Sequence, residues 1–98
     1  MILNVVFRPA ARAEFDSATL WYEDRQPGLG IQFVAEIDRA VDIASKYPDR
    51  YPVKYKKIRC TRARRFPYSV FYTAEPEQIV VLAVFHARRD PAVWRARA

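Results

Sequence analysis

From Pro9 to about Arg25 the apolar residues Ala11, Phe15, Ala18 and Tyr22 recur at spacings of four, three and four, with Trp21 alongside. Glu14, Asp16, Glu23 and Asp24 fall mostly elsewhere on the wheel, so the stretch predicts an amphipathic helix with Pro9 in its first turn, where a missing N–H costs nothing. A second stripe, Phe33, Ile37, Val41 and Ala44, widened by Val34 and Ala40, predicts another helix that ends at Tyr47-Pro48. Both glycines of the chain fall in Pro27-Gly28-Leu29-Gly30 between the stripes. The backbone freedom that only glycine supplies is thus concentrated at one reversal, and the two helices form an antiparallel hairpin.

Outside this hairpin the period changes to two. Ile2 to Phe7 is β-prone and leads directly into the first helix. Val53 to Tyr55 and Ile58 to Ala63 read as short polar strands. Tyr68, Val70 and Tyr72 then alternate with Ser69, Phe71 and Thr73, Glu75-Pro76-Glu77 is a turn, and the nearly all-apolar run Gln78 to His86 reads as a central strand covered on much of both faces. His86 closes that run on the parity of Val80, Leu82 and Val84. From about Asp90 a basic tail shows no period. The fold class is α+β: an N-terminal strand, a two-helix hairpin, then an antiparallel sheet of three or four meandering strands packed on the helices by one face. The other face, with a cationic rim, is left open to a partner.

The 98 residues make one domain spanning 1–98, and 51% apolar content is enough for a single core. One cysteine, Cys60, excludes an internal disulfide and cysteine-based metal spacing. With no apolar run long enough for a transmembrane helix and no signal-peptide pattern, the chain reads as a cytoplasmic protein without cofactors.

Charge is segregated. The net +6 arises because residues 1–50 hold six Lys/Arg against eight Asp/Glu, whereas residues 51–98 hold eleven against three. Seven of those eleven, Lys54, Lys56, Lys57, Arg59, Arg62, Arg64 and Arg65, lie in a twelve-residue segment without a single acid. A polyanion or a carboxylate-rich partner complements such a segment. Arg59, Arg65 and Arg88 sit at strand positions where one rim gathers them. Cys60 lies among cations that lower a thiol pKa, but no His or Asn arrangement supports nucleophilic catalysis. Gly28-Leu29-Gly30 lacks the third glycine and preceding strand of a dinucleotide fingerprint. Trp21, Tyr22 and Phe33 read as core, as do Tyr68 and Tyr72; Tyr55, beside the basic run, is the better functional aromatic.

Taken in order, Phe7-Arg8-Pro9-Ala10-Ala11, Trp21-Tyr22-Glu23, Gly28-Leu29-Gly30 with Phe33, Tyr47-Pro48, Ile58-Arg59, Arg65-Phe66-Pro67-Tyr68 and Val84 to Pro91 with Trp94 resemble the RelE/ParE superfamily of toxins from bacterial type II toxin–antitoxin modules. The resemblance implies a small basic growth inhibitor, of the kind also described as a plasmid stabilisation protein, that forms a hetero-oligomer with an acidic antitoxin. Its target is either the ribosome with its mRNA, which RelE-like members cleave without metal, or DNA gyrase, which ParE-like members inhibit.

RNA cleavage of that type needs a base for the 2′-OH, cations for the transition state, and an acid for the departing oxygen. The resemblance puts the cations at Lys56, Lys57 and Arg59, with Arg88 after the last strand. It departs from the cleaving members at Ser69, where an arginine is expected and Arg65 substitutes, and at Trp94, which replaces a tyrosine and offers no titratable proton. Arg65, His86 and Arg88 are therefore the candidate catalytic set, with His86 as acid–base. Lys54, Lys56, Lys57, Arg59, Arg62, Arg64, Arg89 and Trp94 form the candidate surface for nucleic acid or antitoxin. Trp94 tips the balance toward gyrase inhibition over mRNA cleavage.

Overall fold

The computed structural model describes residues 3–98, so Ile2 lies outside the described residues. The elements run β1 (Asn4–Phe7), α1 (Pro9–Arg25), α2 (Leu29–Lys46), β2 (Val53–Tyr55), β3 (Ile58–Arg62), β4 (Tyr68–Ala74), β5 (Gln78–His86) and α3 (Ala92–Arg95). Pro9 opens α1, which buries Ala11, Phe15 and Ala18. Among its seven buried residues α2 counts the expected Phe33, Ile37, Val41 and Ala44. The hairpin turn uses each glycine differently. Gly28 adopts φ 89°, the left-handed region where a side chain is strained. At Gly30 a Cβ would stand 2.9 Å from the Thr19 carbonyl oxygen, so the missing side chain is what lets the helices approach. Glu23 closes the joint by accepting hydrogen bonds from the Gly28 and Gly30 amides, both donors that α2 leaves free at its N-terminus.

The sheet has five strands in the order β1-β5-β4-β3-β2, the N-terminal strand having joined the four that follow the helices. The segment β2 to β5 meanders antiparallel as expected, but β1 pairs in parallel with β5, from Asn4↔Gln78 to Phe7↔Val81, which makes the sheet mixed. The chain reaches β5, the parallel partner of β1, only after the helical hairpin has carried it to the far edge of the sheet and β2, β3 and β4 have brought it back. Its apolar stripes meet Val70, Tyr72, Ile79, Val81 and Val84 in the principal core. Among the described residues no helix is long and apolar enough to cross a membrane.

Two expectations about the sheet need correction. The register of β5 against β4 passes from Phe71↔Ala83 to Tyr72↔Val81, so Leu82 is an extra residue in a β-bulge. The bulge switches parity: Val80 and Leu82 belong to one face, Val84 and His86 to the helical face, so His86 does not share the side of Val80 and Leu82. The face opposite the helices is not left open either. Ile58, Phe71, Val80, Leu82, Ala83, Phe85 and Trp94 form a second core there. The tail supplies its cover: Trp94 of α3 stacks on Phe71 with ring centroids 4.0 Å apart and planes at 15°, and Tyr55 meets its edge.

Candidate functional site

The cations divide into those the fold holds and those it leaves free. The holding centre is Glu14, whose side chain is only 13% exposed. β1 ends opposite Val81, so the second half of β5 has no neighbour on that side. Glu14 fills the gap by accepting the Val84 amide at 3.1 Å, and Arg97 donates to the Leu82 carbonyl at 2.9 Å. Arg97 also grips both Glu14 oxygens, at 2.8 and 2.9 Å, and Arg89 binds the same carboxylate while lying over Phe85, 4.4 Å from the ring centroid. Burial alone would raise the pKa of Glu14, but the hydrogen bonds from Arg97 and Arg89, the Arg97 charge and the Val84 amide outweigh it and hold the carboxyl below its ordinary value.

Arg59 is held as well. It points to the helical side, donates to the Tyr51 carbonyl and lies 3.5 Å from Asp49. Arg65, at φ 69°, donates to Gln32 of α2 at 2.9 Å. Arg88 is exposed on the turn after β5, where its amide donates to His86 Nδ1 at 3.0 Å. Arg59, Arg65 and Arg88 are therefore directed to different neighbours and do not gather at one rim. His86 packs edge-on against Tyr68, and its Nδ1 is occupied by that turn amide.

A rim does form, from a partly different set. Lys54, Arg62 and Arg64 join Arg39 of α2 and Arg50 of the α2–β2 loop around a cleft of about 490 Å³. Lys54 and Arg62 also border a second cleft of about 410 Å³ on the opposite face, with Arg95 on one wall and Phe71, Phe85 and Cys60 among its lining. His86 and Arg89 reach this second cleft from the end of β5. Lys56 and Lys57 stand exposed at the β2–β3 tip, with Lys56 Nζ 5.4 Å from the Tyr55 ring centre. Among the described residues, Arg50, Lys54, Lys56, Lys57, Arg62 and Arg64 form no ion pair.

Cys60 contradicts its expected reactivity: burial pushes the thiol pKa up, more than the Ser69 hydrogen bond and the charges of Lys54 and Arg62 bring it down. Trp94 is buried, so its ring serves the second core and not an exposed surface. Among the described residues no group of three or more His, Cys, Asp or Glu comes together.

A third cleft, of about 760 Å³, is of another kind. It runs beside α1, lined by Ala13, Ser17, Trp21, Tyr22, Pro67 and Val84, among others, with His86 and Arg89 at one end. Trp21 is 52% exposed there, although its place beside the apolar stripe reads as core.

Sequence reasoning missed Glu14, Arg97, Arg39 and Arg50. Glu14 carried a signal, since it lies three residues after Ala11 and four before Ala18, on the buried stripe itself. A carboxylate in that position needs cationic partners. Arg97 carried none.

A family model described as "ParE toxin of type II toxin-antitoxin system, parDE" matches residues 5–91. Among solved structures, a chain of the "Chromosomal ParDE TA system from P. aeruginosa" superposes with a TM-score of 0.76 at 16% identity, covering 89% of this chain and 98% of that one. No curated protein matches the sequence.

Proposed function

Because this chain belongs to the ParE toxin family of type II toxin–antitoxin systems, we propose that it arrests bacterial growth by binding and inhibiting DNA gyrase, and that an acidic antitoxin holds it inactive. The observation that carries the choice of gyrase is Trp94. The position that matches the tyrosine of RNA-cleaving relatives holds an indole, which has no titratable proton near neutral pH, and that indole is stacked on Phe71 within the second core. His86 is a poor substitute, because its Nδ1 is bonded to the Arg88 amide and its ring packs on Tyr68. Cations alone stabilise a transition state but move no proton. A surface of this kind favours binding over cleavage.

The antitoxin fits the same picture. The cleft beside α1 offers apolar lining and an exposed tryptophan, which suit the apolar anchors of a helical or extended segment, while acidic residues of that segment complement the net positive charge.

The test is direct. Purified protein added to gyrase, ATP and relaxed plasmid is expected to block supercoiling or to accumulate cleaved DNA, and programmed ribosomes are expected to keep their mRNA intact. Cleavage of mRNA at A-site codons, with gyrase unaffected, overturns the assignment in favour of an mRNA endonuclease.

A further inference from the structure

The free cations of the β2–β3 rim are exposed and, among the described residues, touch no acid, so folding does not require them. The acids supplied by neighbouring segments are already engaged: Glu36 with Arg39 at 3.1 Å, Asp42 with Lys46 at 3.0 Å, and Asp49 with Arg59. Arg50, Lys54, Arg62 and Arg64 remain, contributed by the α2–β2 loop, β2, β3 and the β3–β4 loop, and all four line one cleft. Four like charges around a single concavity repel one another, and an anion bound between them relieves that repulsion.

We infer that this rim binds the phosphodiester backbone of duplex DNA. Three of the four cations are arginines, whose planar forks meet phosphate oxygens in pairs, and Lys54 adds a point charge at the lip shared with the second cleft. A protein segment docks through apolar anchors, and the large apolar lining of this molecule lies in the α1 cleft, away from the rim. A single strand is held by stacking its bases on exposed rings. The one aromatic side chain lining the rim cleft, Tyr51, is half-buried, so the backbone is what remains to be contacted.

The inference extends the gyrase reading, in that the rim would hold the DNA segment on which the inhibited enzyme works, but the binding itself is measured without gyrase. The probe is a fluorescent random-sequence duplex, titrated with the full chain by anisotropy across a salt series. Four phosphate contacts give a slope of log K against log[salt] of about −3.6. Arg62→Gln with Arg64→Gln is expected to bring the slope to about −1.8 and to weaken low-salt binding at least tenfold, with the melting temperature unchanged. Arg8→Gln with Arg12→Gln removes equal charge from the other side of the sheet, beside β1, and is expected to leave the slope within about one unit of its original value.

Equal losses from both pairs would show diffuse attraction and overturn the site. Absence of duplex binding, preference for a single strand of the same length, or displacement by poly-glutamate at equal charge concentration would each overturn it too. Duplex binding that responds only to the rim pair, in a protein that fails to inhibit gyrase, would keep this inference and sink the gyrase reading.

Discussion

Two groups of arginines border the same sheet with opposite fates. Beside β5, Arg89 and Arg97 close on Glu14 and help to satisfy a strand edge that β1 leaves uncovered. At the β2–β3 rim, Arg62 and Arg64 face solvent and pair with no carboxylate among the described residues. The residue type is the same and the local charge density is higher at the rim, so neither identity nor clustering separates structural from available cations. What separates them is one acid on the buried stripe of α1. The positive charge of the second half therefore overstates the working surface, because part of it fastens the tail to the first helix.

The fastened end is the place to break the comparison. Trp94→Ala removes a buried indole from the second core and is expected to cost about 3 to 5 kcal/mol, read by urea denaturation. Loss of under 1 kcal/mol would mean that α3 packs only loosely and that charge alone holds the tail. Glu14→Ala comes next, at about 2 to 4 kcal/mol, because it leaves the Val84 amide without its acceptor and Arg97, with a side chain 23% exposed, without its counter-charge. The half-exposed Arg89 adds less.

The same carboxylate sets a pH dependence. Its folded pKa lies below the ordinary 4.5, so the stability it contributes is fully present above that value and is lost as pH falls through the folded pKa. Melting temperature should therefore decline on the acid side less steeply in Glu14→Gln than in the original chain. Parallel declines would assign the acid lability to other carboxylates.

The periodic elements were legible because burial of one face imposes the period directly. Both helices of the hairpin, the turn between them and all five strands appear where the patterns place them. The parallel seat of β1 was not legible, since strand order depends on which side of the sheet the hairpin crosses to. The bulge at Leu82 was hidden for a related reason: in a run apolar at nearly every position a parity switch leaves no trace, so His86 keeps the company of Val84 but not that of Val80 and Leu82. The basic tail shows no period that would announce its order, yet its one aromatic, Trp94, is enough to anchor it. Of the candidate site, the density of cations was readable, whereas their division into held and free depends on where Glu14, Glu36 and Asp49 arrive in space.

The sharpest form of the comparison lies within a single strand. Arg59 and Arg62 are three residues apart in β3, and strand alternation sends them to opposite faces. Arg59 meets the Tyr51 carbonyl and Asp49, so Arg59→Ala strands a carbonyl and is expected to cost about 1 to 2 kcal/mol. Arg62 meets no acceptor among the described residues, and Arg62→Ala should stay within about 0.5 kcal/mol of the original stability. Growth inhibition is expected to move the other way, weakened by Arg62→Ala and retained by Arg59→Ala at temperatures where that variant is folded. If both substitutions alter stability equally, the division between held and free cations fails in the strand where the two are closest, and the rim loses its claim to be the available surface.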